Sequence, residues 1–157
     1  MGIQLNLGDH VAKFNQFVAI PPLLQADAQW ARSQAKAIAN TKPGANAYFR
    51  SLPNRRTLSA LLADGSIWVN YFTNSIVAGM TYTLGGISDI GITYSAFHVG
   101  RKFVLATLIH ELAHVNGAPA DTTQAEDAVM HCGLGTLNEL NTGIDDPSTP
   151  YIPGHHG

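Results

Sequence analysis

RKFVLATLIHELAHVNG, running from Arg101 to Gly117, decides how the chain is read. Leu105, Leu108, Leu112 and Val115 fall on one stripe of a 3.6-residue period, which predicts a helix with an apolar face. Gly117 supplies its C-terminal stop, because glycine takes the left-handed conformation that closes a helix. The segment just before it has another character. SIWVNYF, Ser66 to Phe72, is rich in β-branched and aromatic residues and predicts a strand. GMTYTLGG and ISDIGITYSAF follow, with Gly85-Gly86 as a tight reversal between two antiparallel strands.

Working outward, TTQAEDAVMHCGLG predicts one more helix, opened by Thr123 and closed near Gly133 or Gly135. Upstream, Pro21-Pro22 opens a helix whose narrow apolar face is Leu24, Ala28, Ala31, Ala35 and Ile38. It stops before Lys42-Pro43-Gly44, a strong breaker. A short helix over LSALLA takes Thr57 as its N-cap and ends at Gly65. The expected order is helix, helix, three strands, helix, helix, tail. The expected class is α+β, one domain over residues 1–157: an N-terminal helical region over residues 1–65, a motif-bearing core over 66–140 and an extended, proline-containing tail over 141–157.

Composition narrows the field. The chain has 157 residues, 45% hydrophobic and only 13% charged, with a net charge of −2. A disordered chain shows the opposite balance. Nothing here attracts nucleic acid or an anionic membrane, and Asn54-Arg55-Arg56 is too small a basic cluster to change that. A single cysteine, Cys132, excludes an intrachain disulfide framework, and a lone buried thiol is inert by default. The opening MGIQLNLGDH lacks a signal-peptide pattern, Asn6 stands where a myristoylation motif wants Ser or Thr, and no apolar run is long enough to span a bilayer. Residence in the cytoplasm, export by a signal-independent route and origin as a processed fragment are all compatible with these features.

The chemistry sits in the deciding helix. His110-Glu111-Leu112-Ala113-His114 spells HExxH. Spacing i, i+4 puts both imidazoles on one face, one turn apart, where they can share a zinc ion. Glu111 is rotated about 100° from His110. It can therefore reach a water on the metal without ligating it and act as general base. The same letters also arise by chance in helices, with histidines at the surface or satisfied in the core. Against that stands the apolar character of this helix, in which a buried His-Glu-His set needs a partner.

TLIHELAHVNG resembles the active-site helix of the zincin metallopeptidases, and the preceding strands and following helix resemble the minimal zincin core. The likeness covers residues 66–135, less than half of the chain. HELAHVNGAP follows the metzincin pattern through Gly117, then departs, with Ala120 where that pattern has a histidine. A glutamate on the following helix, Glu126, resembles the gluzincin arrangement, in a bacterial type. The resemblance implies a small antiparallel or mixed sheet packed on the motif helix and a following helix. It implies zinc at His110 and His114, Glu111 as general base, and hydrolysis of a peptide or protein substrate.

A third ligand must come from elsewhere. Gluzincins take a glutamate from the next helix, and Glu126 suits that role, with Ala125 and Ala128 allowing close packing. Thr123 to Glu126 also fits a capping box, in which Glu126 would serve only the backbone. His131, Asp127 and Asp121 are the alternatives. Tyr82, Tyr94 and His98 are weaker candidates for stabilising an oxyanion, and tyrosines in alternating strands are more often packing residues. Trp30 and Trp68 are expected in the core, and His155 and His156 in a solvated tail. The competing functional reading is a binding or assembly module on the same fold, or a delivered effector domain. A surface so poor in charge can serve a protein partner.

Overall fold

The computed structural model describes residues 2–74 and 76–134. The expected tail 141–157, with His155 and His156, lies outside the described residues, as do Gly135 and the end of the expected core. The described chain is α+β, with a five-stranded mixed sheet and six helices. The elements in order are β1 (Gln4–Leu5), β2 (Phe17–Val18), α1 (Pro22–Thr41), α2 (Pro43–Arg50), α3 (Leu58–Leu62), β3 (Ile67–Phe72), β4 (Gly79–Leu84), β5 (Ile87–Thr93), α4 (Tyr94–Val99), α5 (Arg101–Val115) and α6 (Gln124–His131). None of the described helices is long and apolar enough to cross a membrane.

The sheet is ordered β1-β3-β5-β4, with β2 pairing the far end of β3. β3 and β5 are parallel, in register from Ile67 opposite Ser88 to Phe72 opposite Thr93. β4 and β5 form the expected hairpin, with Gly85 at φ +61° and Gly86 at φ +79°. Two consecutive positive φ angles belong to the turn whose twist matches a two-residue hairpin, and glycine adopts them without strain.

Several sequence expectations need correction. The two short N-terminal strands carry no pattern of their own and form only because β3 offers them an edge. Pro43 does end α1, but it also opens α2 as a first-turn proline, where its missing N–H costs nothing. The last strand stops at Thr93 instead of running on to Phe97, because the Thr93 hydroxyl accepts from the Ala96 N–H and starts α4. α3 closes at Leu62, before the expected stop at Gly65, and Leu24 of the expected α1 face is only half-buried; the remaining local signals appear as read. Thr57 caps α3 through the Ala60 N–H at 3.0 Å, and the buried face of α1 includes Ala28, Ala31, Ala35 and Ile38.

α5 is more than an amphipathic helix. Every residue from Phe103 to Ala113 is buried, so no solvent face exists along that stretch. It packs on β4 and β5 of the sheet and against α1, α4 and α6. Each fully buried Leu or Ile here contributes about 1.5–3 kcal/mol. The side chains of Gly79 and Thr81 on β4 would face or do face α5, so their partners Ile92 and Ile90 line the same side. The opposite side of the sheet carries Trp68, Asn70, Phe72, Asp89 and Gly91. It is covered by the segment between β1 and β2 and by β2 itself, whose Phe17 lies so close over Gly91 that a Cβ there would meet its ring at 2.3 Å.

Candidate metal centre

His110 and His114 project from the last two turns of α5. Their Nε2 atoms stand 3.1 Å apart. Two nitrogens on one tetrahedral zinc, each ~2.0–2.1 Å from the ion, would stand about 3.3 Å apart, so the observed pair fits a shared ion. The His114 ring is fixed from behind. Its Nδ1 lies 2.8 Å from the Ala118 carbonyl, which can only accept, so Nδ1 carries the proton and Nε2 presents a lone pair.

The end of α5 builds that arrangement. Gly117, at φ +93°, turns the chain so that its N–H donates to the His114 carbonyl and the Ala118 N–H to the Ala113 carbonyl, both at 3.0 Å. This paired closure brings the carbonyl of Ala118 back to the His114 ring. Asn116 anchors the same corner. Its buried Nδ2 donates to the carbonyls of Phe49 and Arg56 at 2.7 and 2.8 Å, and its Oδ1 accepts from the Arg56 N–H.

Glu111 is fully buried. The Thr81 hydroxyl donates to its Oε1 at 2.8 Å. Its Oε2 lies 3.9 Å from the His110 Nε2 and has no hydrogen-bond partner among the described residues. Burial pushes its carboxyl up to about 8, the Thr81 hydrogen bond opposes this, and the negative charge of Glu126 adds to it. A divalent cation beside the carboxyl would reverse that balance and favour the ionised form.

The candidate ligand atoms of His110, Glu111 and His114 all lie within 4.8 Å of one another. Glu126 stands outside that group but is buried on α6, which packs against α5, and its charge is felt at Glu111. The Thr123 side chain makes no capping bond and instead donates to Asp127 Oδ2 at 3.2 Å, so the threonine half of the capping box is absent. Asp121 is exposed. His131 is exposed too, stacked on Tyr48 at 4.2 Å with its Nδ1 donating to the Asp127 carbonyl.

The weaker candidates lie elsewhere. Tyr82 is on the opposite side of the sheet, against Phe14. Tyr94 and His98 stack on each other on α4 and are exposed. Trp30 and Trp68 are only half-buried: Trp30 lies under the Arg101 guanidinium at 4.4 Å, and Trp68 stacks on His10 at 4.0 Å. The Cys132 thiol is buried and pushed up to about 12 by that burial, which suits an inert side chain.

Beside the cluster, a cavity of roughly 280 Å³ is lined by Met80, Thr81, Thr83, His114, Ala118 and Ala120, none of them acidic or basic apart from the histidine. Among the described residues β4 is an edge strand. The Thr93 N–H bonds the Ala78 carbonyl, so by alternation the ladder bonds fall at Met80, Tyr82 and Leu84. Gly79, Thr81 and Thr83 therefore point their main-chain N–H and C=O groups outward at the open edge.

No family model, curated protein or solved structure matches this chain.

Proposed function

We propose that the protein is a zinc-dependent peptidase of zincin-like architecture, with zinc held by His110 and His114. The observation that carries this reading is the pair of Nε2 atoms 3.1 Å apart, with the His114 tautomer set by the Ala118 carbonyl. Glu126 is proposed as the third ligand, on the strength of its buried carboxylate on the adjoining helix and its electrostatic reach to Glu111. Zinc bound there would polarise a scissile carbonyl and make an attacking water more acidic.

The remaining work falls to the chain. The open edge of β4 can pair with an extended peptide through the outward groups of Gly79, Thr81 and Thr83. The uncharged cavity beside it suits a small or apolar side chain. Glu111 accepts a proton from the attacking water at Oε2 and delivers it to the leaving amine, so that the carboxylate returns unchanged. The buried surroundings keep bulk water from competing for that proton.

The test is metal analysis after reconstitution, followed by a peptide-library digest read by mass spectrometry. Wild type should hold one zinc per chain and His114→Ala none. Glu126→Gln should weaken zinc binding, while Asp127→Asn and His131→Ala leave it unchanged. A wild-type chain that holds no zinc above background overturns the reading. Zinc held without cleavage of any peptide transfers the fold to the binding or assembly reading.

A further inference from the structure

We propose that Thr81 is a positioning residue that selects which oxygen of Glu111 acts as the base; the inference rests on the peptidase reading above. A carboxylate has two equivalent oxygens and a freely turning plane, and proton transfer needs one of them held at hydrogen-bond reach of the water. Here the two oxygens are made different by their surroundings. Oε1 accepts the Thr81 hydroxyl at 2.8 Å, whereas Oε2 faces the His110 Nε2 at 3.9 Å without a hydrogen-bond partner among the described residues. The same Thr81 oxygen is 3.2 Å from the main-chain carbonyl of Glu111, so one hydroxyl addresses both ends of the residue.

Two places away on the same side of β4, Gly79 supplies the room. A Cβ there would lie 3.1 Å from the Glu111 Cγ and 2.8 Å from the Thr107 Cγ2. The edge strand thus presses on the stem of Glu111 at Gly79 and grips its head at Thr81. Thr81 also presents its main chain at the open edge, where an extended substrate would lie. The residue that would meet the peptide is therefore the residue that aims the base. In the reaction the Thr81 proton stays on its own oxygen. The proton that moves goes from water to Oε2 of Glu111 and on to the leaving amine.

The experiment compares zinc-loaded wild type, Thr81→Val, which keeps the shape without the hydroxyl, and Thr81→Ser, which keeps the hydroxyl. Zinc content and melting temperature are measured first, then kcat and KM on a cleaved library peptide, then crystal structures of all three. Thr81→Val should keep its zinc and lose about 10-fold in kcat with KM within about twofold. Thr81→Ser should restore kcat to within about threefold of wild type. In the crystal the Glu111 carboxylate should turn in the Val variant alone. An unchanged kcat in Thr81→Val, a Ser variant as slow as the Val variant, or a loss confined to KM would each overturn the proposal while leaving the peptidase reading intact. If no peptide is cleaved, an unmoved Glu111 carboxylate in zinc-loaded Thr81→Val overturns it. Absence of zinc from the wild type removes the peptidase reading and this inference together.

Discussion

Each side of the sheet sets a histidine beside a buried carboxylate, and the two pairs are finished differently. On the side away from α5, His10 Nε2 is 2.8 Å from Asp89 Oδ1, which also accepts from Asn70 Nδ2 at 3.0 Å. Asp89 Oδ2 accepts the Lys13 N–H at 3.3 Å, and Asn6 joins Asn70 and the His10 carbonyl. Both oxygens of Asp89 are used, and the network ties the N-terminal segment to β3 and β5. On the α5 side, Glu111 uses one oxygen and keeps the other aimed at His110. A buried polar group with all its partners rigidifies a fold, and one left short of a partner is a candidate position for a ligand or for chemistry.

That contrast can be broken at several points. The largest effect is expected at Glu111. Glu111→Gln keeps the shape and cannot accept a proton, so peptide hydrolysis should fall between about 10²- and 10⁴-fold with zinc content unchanged. Equal cleavage by both forms would remove Glu111 from the chemistry. Next comes Asp89→Ala, which strips a fully satisfied carboxylate. It should cost about 3 kcal/mol in denaturant unfolding and leave zinc content intact. Loss of zinc from a folded Asp89→Ala protein would show that the two sides of the sheet are not independent.

Gly117→Ala acts on the α5 side through the helix cap and leaves the carboxylate in place. Its φ of +93° disfavours a side chain, and a Cβ would meet Pro53 at 3.0 Å. Moving the Ala118 carbonyl off the His114 ring should weaken zinc about 10-fold, measured by competition with a chelator of known affinity.

The smallest effect belongs to a half-buried carboxylate near the surface, used as a control. Burial pushes the Asp64 carboxyl up, but hydrogen bonds from Ser66 and Arg56 and the Arg56 charge outweigh it and hold the group below its ordinary range. Its contribution to stability is thus present above the carboxylate pKa of the unfolded chain. It is lost as the pH falls through the lower folded value. Since Arg56 is more than a third exposed, Arg56→Ala should change unfolding free energy at neutral pH by less than about 1 kcal/mol. A larger change would mean that the loop joining α2 to α3 is held mainly by this pair.

The sequence reveals what is local. The faces of α1, the Thr57 cap, the Gly85-Gly86 hairpin and the Gly117 stop are each written within a few neighbouring residues. His110, Glu111 and His114 belong to the same class, because one helix turn brings them together whatever surrounds it. Thr81 and Ala118 are another matter. A threonine in an alternating strand and an alanine after a helix look like filler, and their roles appear only when β4 lies on α5 and the cap folds back. The N-terminal strands escaped for a similar reason: two residues each carry no period, and Phe17 finds its place through a glycine on a strand far along the chain. Asn116 offered one usable hint, a polar side chain between a buried helix and its terminating glycine.

The two-glycine corner between β4 and β5 acts as a counting device for the centre on the far side of the strand. Because side chains alternate, the number of residues in that corner determines which member of β4 turns inward. One residue more or fewer, taken up by sliding the strand, would bring the thioether of Met80 or the phenol of Tyr82 to the place where the Thr81 hydroxyl now stands. The outward-facing main-chain groups would change places with the paired ones in the same slip. A length change well away from the histidines would then alter both the open edge of β4 and the surroundings of the Glu111 carboxylate, without replacing a single residue of either.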